Sequence, residues 1–247
     1  MQKFYYSILF LLAILLSSGC EMNNPMYQTP KLVIKSETKW RVDVVSESKI
    51  EKVWYKAFNT EGRITLKENY SESGDLLQRI RYEYESSLTI ENVTTYDNGL
   101  PVADKIFSYL HDVNGNITER ITTDSNGDTS AVTKYKYDSH GNVIEELRFD
   151  GLGNFTGSIE YIYNYNGNGY VTGSLVNDNL SNGFRTRDSI IYKPNENMVE
   201  QIKFGTTGQQ EFVYTFIYDN QGFIIKEYHS TQLGEVIRKY IYEYTYY

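Results

Sequence analysis

Residues 135–165 read YKYDSHGNVIEELRFDGLGNFTGSIEYIYNY, and this stretch decides the fold. It opens Tyr-x-Tyr-Asp-x-x-Gly-Asn, continues through a strand-like run to a second turn at Asp150–Asn154, and ends on another run closing with Tyr161-x-Tyr163. Gly takes positive φ without steric cost, and flanking Asp and Asn cap the backbone of such a turn with their own side chains. Working outward, Gly62 and Gly74 are 12 residues apart, as are Gly115 and Gly127, Gly141 and Gly153, and Gly222 and Gly234. Gly115, Gly141 and Gly167 follow one another at 26. A fixed period of roughly 20–50 residues marks a repeat architecture. With about four residues per turn, strands of about eight remain, roughly 27 Å long at about 3.4 Å per residue. The expected fold is therefore all-β, an antiparallel meander of ~26-residue two-strand units.

Side-chain parity predicts how the sheet curls. Phe107, Tyr109, Ile117, Ile121, Tyr135, Tyr137, Val143, Leu147, Phe149, Phe155, Ile159, Tyr161 and Tyr163 are all odd-numbered, whereas Lys134, Lys136, Glu146, Arg148 and Glu160 are even. Strands alternate faces with period two, so one face is expected to be aromatic and the other polar. In the first and last thirds the apolar set is even, including Leu66, Tyr82, Tyr84, Tyr214, Tyr218 and Tyr242. Irregular turns or bulges are expected at Glu91–Gly99 and Asn177–Gly183, where the parity switches. A sheet with so many rings on one face must curl or roll with that aromatic face inside.

The chain has 247 residues with 24 Tyr, 11 Phe, 3 His and 1 Cys, and a formal charge of -8. An acidic chain without basic clusters argues against a nucleic-acid partner. Residues 1–19 read as a signal peptide: Lys3 precedes the apolar run Ile8–Leu16, which is shorter than the roughly 20 residues a spanning helix needs. The segment Leu16-Ser-Ser-Gly-Cys20 resembles the lipobox of bacterial lipoproteins, with Ser17 where an aliphatic residue is usual. That resemblance implies lipidation at Cys20, a membrane partner through the acyl chains, and a cell-envelope address, outer membrane in particular. A lone Cys allows no intrachain disulfide. Residues 20–30 read as the lipidated Cys and a polar tether, and residues 31–247 as a single β-repeat domain. Its first strands are expected at Lys31–Lys35, Trp40–Val45 and Lys49–Phe58, with Trp40 and Trp54 packing at the first sheet edge.

Tyr135-Lys-Tyr-Asp-Ser-His-Gly-Asn142 resembles the YD repeat of bacterial RHS-type proteins, as do Tyr218-Asp-Asn-Gln-Gly222 and Tyr96-Asp-Asn-Gly99. The likeness spans about residues 49–247. In large members such units wind a hollow β-shell around a toxin. This chain has fewer units and no toxin region, so encapsulation is not expected of it.

Sites are harder to find. Asp112, Asn114 and Asn116, and likewise Asp124, Asn126 and Asp128, match the opening of an oxygen-ligand calcium loop. The twelfth positions, where such a loop closes with a bidentate Glu, hold Thr123 and Tyr135. An ordinary hairpin turn wants the same residues. His111, His140 and His229 are widely spaced, and with no nucleophile elbow the chain is not expected to be an enzyme or to hold a cofactor. The last strand carries Tyr240, Tyr242, Tyr244 and Tyr246, a candidate edge for a protein or glycan partner, or an ordinary closing strand. The expected function is a non-catalytic, lipid-anchored scaffold or binding module. The alternatives are a glycan-binding or glycan-processing accessory and an immunity-type lipoprotein. A membrane-spanning barrel fits the alternation, but the Lys- and Glu-rich polar face does not suit lipid.

Overall fold

The computed structural model describes residues 33–169, 171–179, 184–193, 197–204 and 209–247, with the backbone alone for 184–193. The sequence builds a chain of strands joined by short turns: β1 (Ile34–Val42), β2 (Lys49–Phe58), β3 (Ile64–Tyr70), β4 (Leu76–Tyr84), β5 (Leu88–Asp97) and β6 (Leu100–His111). There follow β7 (Ile117–Thr123), β8 (Thr129–Tyr137), β9 (Val143–Asp150), β10 (Phe155–Tyr165) and β11 (Val171–Asp178). The last are β12 (Phe184–Lys193), β13 (Met198–Phe204), β14 (Gln210–Tyr218), β15 (Ile224–Thr231) and β16 (Val236–Tyr246). Each pairs antiparallel with its sequence neighbours, as the meander requires. The two short strands expected before residue 46 are a single strand, β1.

The repeated turn has one mechanism. In Asp138–Asn142 the Asp138 carboxylate accepts the backbone N–H of His140 and Asn142, both at 2.9 Å, while Gly141 N donates to Asp138 O at 3.2 Å. Gly141 sits at φ +82°, which a side-chain-bearing residue enters at a cost. Asp112, Asp124, Asp150 and Asp219 repeat the carboxylate contacts.

The roll goes to completion. β1 pairs with β16 from Ile34↔Tyr246 to Val42↔Lys239, which closes the sheet into a barrel. Closure satisfies the exposed N–H and C=O groups of the two terminal strands. Tyr240, Tyr242 and Tyr244 thus lie on a strand paired on both sides, with β1 and β15, and the candidate partner edge is corrected to a wall strand. Tyr246 pairs with Ile34 at the seam. Trp40 and Trp54 likewise flank the seam and no edge.

Registers show which residues share a wall, and they correct the parity rule. In β8–β9 the register runs Tyr137↔Val143, then shifts, so that Tyr135 faces Glu146 and Thr133 faces Arg148. A second shift between Phe155 and Gly157 puts Ile159 opposite Glu146. Each turn carries an extra residue that inverts parity, and two inversions per unit cancel. The odd rule therefore holds for Tyr135, Tyr137, Val143, Ile159, Tyr161 and Tyr163, but fails in the strand between them beyond Val143. Glu146 and Tyr161 are buried, at 2% and 6% exposure, on the inner wall. Leu147, opposite the outward Lys134, faces out, as do Phe149 and the exposed Phe155. Ile121 and Leu66 face outward for the same reason.

The inner wall consequently alternates between two kinds of strand. β4, β6, β8, β10, β14 and β16 contribute rings such as Tyr82, Phe107, Tyr135, Tyr161, Phe216 and Tyr242. The strands between them contribute charged groups: Lys67 from β3, Arg120 from β7, Glu146 from β9 and Glu227 from β15. A local apolar cluster of Val143, Ile159 and Tyr161, with Tyr135, Tyr137, Tyr163 and Val176 against it, anchors the central hairpins. Tyrosine hydroxyls tie neighbouring strands together, with Tyr84 donating to Ile64 O, Tyr137 to Ile117 O and Tyr244 to Ile224 O at 2.6–2.7 Å. Tyr247 N donates to Val33 O, so both ends of the described chain lie on the rim that carries the Asp138 and Asp219 turns.

Candidate functional site

The inner wall carries a belt of charge that the sequence pattern assigned to the outer face. At the closing seam, Lys39 reaches Glu227 at 2.7 Å, a pair 188 residues apart. Glu227 also accepts from Tyr242 OH and lies 2.5 Å from His229 Nε2. Lys39 Nζ stands 4.2 Å from the centre of the Tyr240 ring, and His229 packs at 4.5 Å against Tyr214. Burial disfavours the Glu227 carboxylate, but Lys39, and then His229, outweigh that and hold its pKa down to about 2.

The belt continues around the barrel. Glu37 pairs with Lys56 at 3.2 Å, and Lys56 Nζ lies 4.2 Å from the Trp54 ring. Next to Lys56 across the strands stands Lys67. Burial, with repulsion from Lys56, lowers the Lys67 pKa to about 8 against the pull of Glu91 and Glu37. Glu91 accepts from Tyr109 OH, and its pKa is raised by burial despite that bond and the nearby Lys67 and Arg120. Arg120 donates to Thr133 Oγ1 at 3.3 Å, and across Thr133 lies Arg148, 3.2 Å from Glu146. Glu146 also accepts from Tyr161 OH at 2.7 Å. Burial and the Glu146 charge push the Tyr161 hydroxyl pKa far up. Every pair named here lies within one strand or joins strands that are adjacent or one strand apart. Aromatic faces beside fixed, hydrogen-bonded charges suit a polar ligand with apolar ring faces.

The residues singled out in the sequence fall differently. Cys20 lies outside the described residues. In both calcium candidates the leading carboxylate is committed to the turn: Asp112 holds the Asn114 and Asn116 N–H groups and the Asn116 side chain, and Asp124 holds the Asn126 and Asp128 N–H groups. Among the described residues no three His, Cys, Asp or Glu side chains gather into a metal set. His111 bridges Thr89 at 3.0 Å and Gly115 O at 3.1 Å, and His140 stacks on Tyr165 at 4.2 Å. Of the three histidines, His229 alone enters the charged belt. Its signal was present as Glu227-x-His229, since residues two apart in a strand share a face, and Glu146-x-Arg148 carried the same hint. Trp54 faces the lumen against Tyr242 at 5.9 Å, whereas Trp40 faces outward and donates to Glu243 at 2.8 Å.

The outer wall bears its own ion pairs. Lys136 meets Glu145 at 2.5 Å, Lys134 meets Glu119 at 3.7 Å and Arg79 meets Glu68 at 2.8 Å. These interrupt the outward apolar residues and are unlike the continuous apolar band of a lipid-facing barrel.

Neither a family model nor a curated protein matches this chain. Solved structures do. A porin-like protein from Bacteroides uniformis aligns over 89% of this chain and 99% of its own, at 12% identity and a TM-score of 0.52. The likeness is one of fold. A porin-like protein from Bacteroides vulgatus aligns over 87% of this chain and 99% of its own, at 10% identity and a TM-score of 0.39. The Tc holotoxin pore of Photorhabdus luminescens aligns over 82% of this chain and 14% of its own, at 12% identity and 0.23. The last two scores describe a looser likeness and carry no weight here.

Proposed function

We propose that this protein is a lipid-anchored, YD-repeat-type binding module of the cell envelope that takes its ligand inside the barrel. The observation that carries the reading is the inner wall, where aromatic strands alternate with charged ones and most side chains keep partial access to solvent. A wall meant only to be filled would be apolar, since burying charge costs several kcal/mol per ion in the interior. Tyrosine and tryptophan faces next to carboxylates and cations are the groups that bind saccharides, which favours a glycan ligand over a protein one. The outward ion pairs support a barrel standing in water, held to a membrane through Cys20 and the tether. Non-catalytic binding is the simpler role for this wall.

Two measurements test the two halves. Cys20→Ser is expected to abolish incorporation of labelled palmitate and release the protein from membranes; unchanged labelling would remove the lipoprotein claim. A panel of neutral and acidic oligosaccharides titrated into the full chain is expected to give heat that Tyr135→Ala and Tyr242→Ala weaken. Glycan binding unaffected by lumenal substitutions would move the site off the inner wall.

A further inference from the structure

Two arginines face the lumen in one row across three strands. The row runs Tyr109↔Arg120 in β6–β7, Arg120↔Thr133 in β7–β8 and Thr133↔Arg148 in β8–β9. Arg120 and Arg148 thus stand two strand spacings apart, about 10 Å at the backbone. Thr133 is buried between them and accepts from Arg120. Arg120 spends one N–H on Thr133 and rests 5.8 Å from the Phe107 ring. Arg148 spends one on Glu146, whose other oxygen takes Tyr161 OH.

The Nε–H groups of both arginines are buried and meet no acceptor. A buried donor left unpaired costs about 1–3 kcal/mol. Two such donors flank the same threonine on the same wall. The neighbouring position on β10 is Gly157, which adds no side chain beside Arg148. Glu91 and Glu146 are the carboxylates nearest the pair, and each already takes a tyrosine hydroxyl. An oxyanion is the partner that a guanidinium fork matches, through parallel N–H···O contacts.

We propose that Arg120, Arg148 and Thr133 form an oxyanion site inside the barrel, which takes the carboxylate, sulfate or phosphate group of a ligand. This rests on the lumen being the binding compartment and adds that the ligand is acidic. Arg120 and Arg148 grip the oxyanion, while Tyr135 and Phe107 border it with apolar ring surface.

The test is calorimetric titration of the full chain in detergent with inorganic phosphate, sulfate and galacturonate. Arg120→Gln and Arg148→Gln are each expected to weaken binding by on the order of tenfold. Lys136→Gln, on the outer wall, is expected to leave it unchanged. Arg120→Lys keeps the charge and loses the fork, so it should bind more weakly than wild type while unfolding at the same temperature, which separates recognition from folding. Tighter binding of galacturonate than of the inorganic ions would assign the oxyanion to an acidic sugar, and the reverse order to a free phosphate or sulfate. Equal anion heats in wild type and both glutamine variants would overturn the site. If neutral saccharides still bound in a lumen-dependent way, that failure would leave the binding compartment standing; if no saccharide bound, the compartment itself would fall.

Discussion

Glu227→Gln gives the sharpest test of the inner belt. In the folded chain Glu227 is only 7% exposed at its side chain and is held by Lys39, His229 and Tyr242. Its pKa falls from the ordinary 4.5 to about 2. At about 1.4 kcal/mol per pH unit, that depression stabilises the fold by roughly 3 kcal/mol. Because the folded value lies below the unfolded one, the stabilisation is complete above about pH 4.5 and is lost as pH falls toward about 2. In the glutamine variant this titration disappears, and Lys39 is left on the wall without its carboxylate. Removing one partner of a buried pair costs about 3–5 kcal/mol. The variant should therefore be several kcal/mol less stable near neutrality, with the gap shrinking as acid protonates Glu227 in the wild type. Urea unfolding followed by tryptophan fluorescence, repeated from about pH 7 down to about pH 2, reads this directly. Other carboxylates with depressed pKa values, such as Glu68 and Asp138, are common to both proteins and cancel in the difference. A gap that stayed constant over the whole acid range would refute the electrostatic account of the seam.

Three further outcomes follow from the wall and its turns. Tyr137→Phe removes only the hydroxyl that reaches Ile117 O at 2.6 Å, and should lower unfolding stability by about 1 kcal/mol, with Tyr84→Phe and Tyr244→Phe behaving alike. Gly141→Ala meets no atom within 4 Å at its new Cβ, so its loss, about 1 kcal/mol by thermal unfolding, should come from the positive φ alone. Asp124→Ala strips the turn of its two carboxylate contacts and should cost about 1–3 kcal/mol in chelator and in millimolar calcium alike. A calcium-dependent rise in melting temperature that vanished in Asp124→Ala would instead make that turn a metal site.

The hairpins were legible because everything that sets them is local. Gly141 needs positive φ, Asp138 reaches N–H groups two and four residues on, and the 12-residue beat fixes strand length. The tyrosine strands were legible too, since Tyr135, Tyr137, Tyr161 and Tyr163 repeat at a period that two bulges leave in phase. The alternate strands were misread. A single bulge after Val143 inverts their faces, and apart from the Glu146-x-Arg148 spacing nothing in the strand announces it, so Glu146 and Arg148 read as solvent-facing while Leu147 and Phe149 read as core.

Sequence by itself therefore determined the unit: two strands, two capped turns, and an aromatic face that had to be rolled inward because water would not accept it flat. Only the tertiary structure decided that the roll closes, and what the closed wall contains. Closure depends on the accumulated twist and stagger of all the strands, which no local pattern encodes. It brings Lys39 to Glu227 across 188 residues, turns the last tyrosine strand from an edge into a seam, and converts scattered Lys, Arg and Glu into one inward-facing belt.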